Sequence, residues 1–282
     1  MSGGNVTEPG YLRPASLTEA LAARAAHPDW MLLAGGTDLL VDSNHRKPPI
    51  GMLDLWRLAA LGGIRQGDAA IEIGAGATWL EIERHPLVRV GFLPLAQAAR
   101  EIGARQIQAR GTLGGNIGTS SPVGDSLPVL LALDAEVEVA SVRGRRRIAY
   151  RDYCTGYRKT ALAADELIIS VHIPTPAAAT RMVWRKVGTR KAQSISKVMG
   201  AAAIVLDGNV VVSARVALGA VADRPIRLSA VEQAVVGLTL RQAGDAARVA
   251  VPAAIAPITD IRSTTEYRRD VAANVVARFF TL

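Results

Sequence analysis

The sequence holds a single cysteine, Cys154. That excludes an internal disulfide. It also excludes a self-contained iron–sulfur cluster, which takes about four thiolate ligands. One unpaired cysteine fits a reducing compartment, so the expected location is the cytoplasm, and Cys154 reads as a quiet packed thiol. Histidine is as sparse. His27, His45, His85 and His172 stand singly, and no pair has metal-ligand spacing. Aromatic residues make up 4% of the chain, too few to interleave a nucleic-acid surface. No apolar run reaches the ~18 residues of a membrane span, and the first ten residues carry no basic-then-apolar export pattern. Neither a G-x-G-x-x-G fingerprint nor a G-x-x-x-x-G-K-[ST] phosphate loop is present; GAGATW at Gly74 has two fingerprint glycines and lacks the third. No nucleophile–base or general acid–base pair stands out.

The formal charge is +8 over 282 residues, with 21% charged and 49% hydrophobic residues. These are ordinary proportions for a folded protein with a sizeable core. The basic residues are scattered apart from Arg143 to Arg147, which favours a basic surface or partner-facing side over a nucleic-acid site.

Two glycine-rich stretches carry the chemistry. Gly111 to Ala132 reads GTLGGNIGTSSPVGDSLPVLLA: glycines, Asn116, three small hydroxyls and Asp125, then an apolar helix-like run from Leu127. Glycines admit close approach of backbone N–H groups to a ligand, and the short polar side chains add donors and acceptors. Such a loop suits a ligand with phosphates and polar ring edges. Leu32 to Leu40, LLAGGTDLL, is an apolar strand, a Gly-Gly turn, and Thr37 and Asp38 at an expected helix start. The two stretches fit opposite walls of one nucleotide-like site.

The order of elements predicts an α+β protein. A capping box at Ser16 to Glu19 opens a helix over Leu17 to Ala26; Met1 to Gly10 before it read as disordered. Strands at Trp30 to Leu33 and Met52 to Leu55 flank a helix running to about His45. A hairpin turns at Gly67-Asp68. Helical periodicity covers Thr78 to Arg84 and Leu93 to Ile102, and strands fall at Glu136 to Ala140, Ile148 to Tyr150 and Leu167 to Ile173. Pro174 to Pro176 is a linker. Beyond it come strands at Met182 to Val187, Ala201 to Leu206 and Val210 to Leu218, the last two joined at Asp207-Gly208-Asn209, and helices near Ala230 to Val236, Leu240 to Val249 and Thr264 to Phe280. The expected division is 1–56, 57–176 and 177–282.

The segments AGGTDLL and TLGGNIGTSSPVGDSLPVLLALDA, with YLRPASLTEAL near the start and ITDIRSTTEYRRDVAANV near the end, resemble the FAD-binding subunit of the molybdenum hydroxylases, the xanthine dehydrogenase and carbon monoxide dehydrogenase family. The resemblance implies the type-2 (PCMH-like) FAD-binding fold: two small α/β subdomains followed by an antiparallel sheet with helices. It implies FAD held along Leu32, Leu33, Ala34, Gly35, Gly36, Thr37, Asp38 and Leu39, with pyrophosphate and ribityl on the backbone of Gly35 to Thr37. It implies a second wall of Thr112, Gly115, Asn116, Thr119 and Asp125. Asp38 and Asp125 can each serve instead as helix caps. Ile102 stands where vertebrate relatives have an aromatic against the flavin, so it can cover the ring without π stacking. Ile168 matches a position packed on the isoalloxazine, or is plain strand core. Lys186 matches a lysine near the flavin's pyrimidine edge, where a cation favours the reduced ring; alternatively Lys186 and Arg190 belong to a solvated basic hairpin. The implied partners are a large molybdopterin subunit and a small subunit with two [2Fe–2S] clusters, in a dimer of three-subunit units. Tyr157-Arg158-Lys159-Thr160 is closer to the xanthine dehydrogenase version and points to NAD⁺ as electron acceptor, or is a basic turn with an anchoring tyrosine. Two other readings remain open on the residues: a stand-alone flavin reductase of the same superfamily, and a flavin-free basic scaffold.

Overall fold

The structure is a computed structural model that describes residues 10–41 and 47–281. The expected disordered start lies outside the described residues except for Gly10, which opens a strand.

Three short strands, β1 (Gly10–Leu12), β2 (Met31–Leu33) and β3 (Gly51–Asp54), form a parallel sheet in the order β1-β3-β2. Helix α1 (Leu17–Ala26) connects the first two, and its N-cap Ser16 accepts from the Glu19 N–H. After β2 the chain forms a turn, not the expected helix. The Leu40 N–H reaches the Gly36 carbonyl and Val41 reaches Asp38, but no helical turn follows through Val41. The glycine pair, with Gly36 at φ 75°, favours a turn over a helix start. The rest of that expected helix, residues 42–45, falls outside the described residues.

The second sheet is antiparallel: β4 (Ile64–Gln66), β5 (Ala70–Gly74), β6 (Glu136–Ser141), β7 (Gly144–Ala149) and β10 (Leu167–Pro174), in the order β4-β5-β10-β6-β7. Between β5 and β6 run α2 (Trp79–Arg84), α3 (Pro86–Gly91), α4 (Leu93–Glu101), α5 (Arg105–Gln108), α6 (Leu113–Thr119) and α7 (Leu127–Ala132); α8 (Tyr150–Tyr153), β8 (Cys154–Gly156) and β9 (Lys159–Thr160) lie between β7 and β10. One face of the sheet, with Ile71, Ile73, Val137, Val139, Val171 and Ile173, closes a core with these helices. Strand β7 is longer than the sequence pattern suggested. Its arginines have no apolar alternation, yet it forms the sheet edge and pairs its charges: Arg145 with Glu138, Arg146 with Glu166, Arg147 with Glu136. Charged edge strands resist further pairing, and the densest basic cluster is largely neutralised within the chain.

The third sheet, β11 (Thr180–Val187), β12 (Val198–Asp207), β13 (Val210–Gly219) and β14 (Ile226–Arg227), is antiparallel in sequence order. Side chains alternate across β12. Ala202 and Ile204 face α9 (Ser229–Val235), α10 (Leu240–Ala250) and α11 (Thr265–Phe279), whereas Ala201 and Ala203 join the core of the middle sheet. Helix α7 is buried along its whole length and contacts β12 and β13, as expected of a helix apolar all round. It ties the second and third sheets together. Cys154 is buried among Ser120 and Tyr150, consistent with a packed thiol.

Candidate functional site

A cleft of about 690 Å³ opens between the first sheet and the middle unit, within the range of roughly 300–1,000 Å³ seen for cofactor and small-molecule sites. Its first wall follows the C-terminal ends of parallel strands β2 and β3, where open parallel sheets present ligand-facing loops. From β2 come Ala34, Gly35, Gly36, Thr37, Asp38 and Leu39; from β3 come Leu55, Trp56 and Arg57. Among the described residues, the backbone N–H groups of Gly35 through Leu39 have no protein acceptor.

The second wall is the glycine-rich stretch, and here sequence and structure differ. Leu113 to Thr119 is a helix, not a loop. Glycine disfavours helix by ~1 kcal/mol per residue, but tertiary packing prevails. Leu113 and Ile117 are fully buried, and a Cβ on Gly114 would stand 2.7 Å from the Ala75 Cβ. The N-cap Thr112 accepts from the Gly115 N–H at 3.0 Å, while Leu113 and Gly114 donate to the Ala77 and Ala75 carbonyls. The first N–H groups of α6 are therefore spent inside the protein. What this wall offers the cleft is a surface free of side chains at Gly115 and Gly118, with Asn116 and Thr119 beside them.

The two walls touch. A Cβ on Gly35 would fall 1.8 Å from the Arg110 carbonyl oxygen, so the backbones meet where only glycine fits. Thr119 Oγ1 donates to Asp38 Oδ2 at 3.3 Å, and Arg158 lies 3.6 Å from the same oxygen. Asp38 caps no helix among the described residues; it faces the cleft. Ile102 and Ile168 both line the cleft, Ile168 beside an irregularity in the β10–β6 register.

Three anticipated residues do not line it. Leu33 packs beneath Gly36. Asp125 and Lys186 are brought together, but toward each other: Lys186 Nζ donates to Asp125 Oδ2 at 2.6 Å and to the Glu101 carbonyl at 3.3 Å, and Ser196 Oγ donates to Asp125 Oδ1 at 2.5 Å. Each is 8% exposed. Burial pushes the Asp125 carboxyl above its ordinary range, opposed by the Lys186 ammonium and the Ser196 hydroxyl. Asp125 is thus no cap for α7, and Lys186 is not part of a solvated hairpin; exposed Arg190, held by the Gln193 carbonyl, is. Asp125 follows the lining residue Gly124 in the chain, and Lys186 is bonded to the carbonyl of Glu101, which precedes the lining residue Ile102.

The sequence family described as the FAD binding domain in molybdopterin dehydrogenase matches residues 5–176. The chain belongs to that FAD-binding family. The CO dehydrogenase flavoprotein C-terminal domain matches residues 184–282. The chain is 35% identical over 238 residues to a nicotinate dehydrogenase FAD-subunit of Eubacterium barkeri, covering 82% of this chain and 80% of that one. It is 32% identical over 262 residues to a xanthine dehydrogenase FAD-binding subunit of Escherichia coli O157:H7, covering 92% and 90%. A solved carbon monoxide dehydrogenase from Hydrogenophaga pseudoflava superposes with a TM-score of 0.92 at 29% identity, over 96% of each chain. The protein is an FAD-binding oxidoreductase subunit with the α+β fold of this family. Its cleft fits the cofactor: a row of uncommitted N–H donors faces a wall stripped of side chains, as a pyrophosphate requires.

The sequence reading missed Arg24, Trp56, Arg57 and Trp79, which also line the cleft. Trp56 and Arg57 follow a parallel strand directly, a positional signal available in the sequence. Arg24 carries no such signal, because a basic residue in the last turn of a helix, as in α1, is ordinary. No helix of the described residues is long and apolar enough to cross a membrane, and no metal-holding cluster occurs among them.

Proposed function

We propose that this chain is the flavin-carrying, electron-transferring subunit of a multi-subunit molybdenum–iron–sulfur–flavin hydroxylase, and that FAD lies along the cleft between the two glycine-rich walls. The observation that carries the placement is the complementarity of those walls. Donor N–H groups of Gly35, Gly36 and Thr37 take the pyrophosphate, and the bare backbone of Gly115 and Gly118 lets it approach, with Asn116 and Thr119 turned to the ribityl and adenosine oxygens. Ile102 and Ile168 cover the isoalloxazine as aliphatic surfaces. Lys186, held by Asp125 and Ser196 behind Ile102 and Gly124, fixes the charge near the ring without entering the cleft. When bound, FAD supplies the redox centre that exchanges electrons between iron–sulfur clusters and an external acceptor; this chain's residues hold, cover and tune it.

The partners in this reading are a large molybdopterin subunit and a small [2Fe–2S] subunit, in a cytoplasmic dimer of three-subunit units. The 1–56, 57–176 and 177–282 division gives each part its own sheet. Flavin analysis of the purified chain tests the reading: FAD released on denaturation supports it, and so does the absence of aldehyde or purine turnover without partners. A colourless chain that takes up no added FAD would end it.

For the acceptor we propose NAD⁺. Tyr157 is 63% exposed beside Arg158, which has φ 50° and lines the cleft. That turn offers an aromatic face and cations to an incoming dinucleotide. Stopped-flow reoxidation of the reduced complex by NAD⁺ is the expected result. Reoxidation by O₂ or a quinone alone removes NAD⁺ and leaves the FAD assignment standing.

A further inference from the structure

Among the described residues, Asn116 is the one amide side chain that lines the cleft. Its backbone is spent within α6: the N–H donates to the Thr112 carbonyl, and the carbonyl accepts from Ser120. What it offers a ligand is its side-chain amide, whose oxygen accepts and whose nitrogen donates. The two ends are not equally free. Ser126 Oγ donates to Asn116 Oδ1 at 2.8 Å, while Nδ2 forms no hydrogen bond among the described residues. Ser126 is fully buried at the start of α7. Serine at that position ordinarily caps its helix, but this hydroxyl makes no capping bond; its acceptor is Asn116 Oδ1. With the amide reversed, the hydroxyl proton would be left unmet at a cost of ~1–3 kcal/mol. The serine is itself held. Neighbouring Asp125 is gripped by β11 and the turn that follows it: Trp184 Nε1 donates to the Asp125 carbonyl at 3.2 Å, and Lys186 and Ser196 donate to its carboxylate.

We infer that Ser126 is a positioning residue for the cofactor: it sets Asn116 as an N–H donor, so that the amide meets an acceptor atom of FAD and not a hydroxyl proton. This deepens the FAD reading above and rests on it. Phosphate oxygens, carbonyl oxygens and unprotonated ring nitrogens are all acceptors, and an amide presented oxygen-first would repel them. An amide free to turn over would present either end, and fixing it beforehand removes that cost from binding. The second wall then adds a donor to the N–H row of Gly35 to Leu39, through a single side chain where the first wall uses its backbone.

Equilibrium FAD binding to the full chain, stripped of flavin, tests this. Ser126→Ala should weaken FAD binding about five-fold, the worth of one oriented hydrogen bond, and leave the melting temperature of the flavin-free protein within a few degrees of the parent. In an Asn116→Ala background the same change should cost no further affinity, because Ser126 acts only through that amide. Asn116→Asp should weaken binding about 100-fold at about pH 8, since Ser126 still engages one oxygen and the other points an acceptor at the ligand. Its deficit relative to the parent should narrow as the pH falls to about 5, because a protonated carboxyl regains a donor. Should Ser126→Ala not fold, Ser126→Cys, which keeps only a weak donor, carries the same comparison. Unchanged FAD affinity in the serine variant, an equal loss with and without Asn116, or a deficit of Asn116→Asp that is absent or independent of pH would each overturn the assignment. A parent chain that takes up no FAD at all would overturn the FAD reading and this role together, a distinct result.

Discussion

The two glycine-rich walls have similar composition and opposite hydrogen-bond accounts. Along Gly35 to Leu39 the backbone N–H groups have no protein acceptor among the described residues. Along Leu113 to Asn116 they are consumed by Ala77, Ala75 and the Thr112 cap. One wall is a set of donors; the other is a smooth helix surface whose glycines serve close packing against Ala75 on one side and clearance into the cleft on the other. Glycine content therefore does not identify which segment binds. What identifies it is where each backbone polar group finds its partner.

Substitutions separate these roles, and the largest effect is expected where the walls meet. Gly35→Val places a side chain into the Arg110 carbonyl and should abolish both the native melting transition and flavin content; a folded variant with full FAD would mean that the walls do not touch. Next is Lys186→Met, which strands the buried Asp125 carboxylate. Breaking such a pair costs ~3–5 kcal/mol, read as a lower denaturation midpoint, and the double variant with Asp125→Asn should recover much of it. If flavin is retained, the loss of a cation should lower its midpoint potential in spectroelectrochemistry. An unchanged stability would place Lys186 in solvent.

Gly115→Val sharpens the contrast. Its Cβ meets only Thr112 Oγ1, at 2.9 Å, within the chain, so the flavin-free protein should stay folded while FAD retention falls at least 100-fold by equilibrium dialysis. Full FAD occupancy in this variant would falsify the role of that wall. The smallest effect belongs to Thr112→Ala. It removes one helix cap, worth about 1 kcal/mol, and for a chain of this size should lower the melting temperature of the flavin-free protein by roughly 2–4 °C. A drop well beyond that range would show that α6 depends on more than its cap.

Much of the fold was legible because period and punctuation agreed. Helix α1 runs over the residues that its capping box indicated, and the hairpin at Asp207 to Asn209 turns where expected. The misses have physical causes. Strand β1 is three residues long with no alternation to read. Strand β7 is an arginine run that pairs only because acids on β6 and near β10 wait for it. Helix α6 opposes its own propensity and forms because Leu113 and Gly114 dock on the Ala75–Ala77 segment and Leu113 and Ile117 are fully buried.

The sequence by itself determined the α+β class, the family and the two segments that face the cleft, because these depend on local pattern and on residue types with few uses. Tertiary structure alone decided that Asp125 and Lys186, 61 positions apart, neutralise each other behind the cleft wall. It alone left Arg24, an unremarked residue of α1, buried at the cleft with its Nε unpaired among the described residues. Both outcomes depend on which groups are left without water and without a partner once the sheets close. That balance of desolvation against pairing has no signature in a linear pattern.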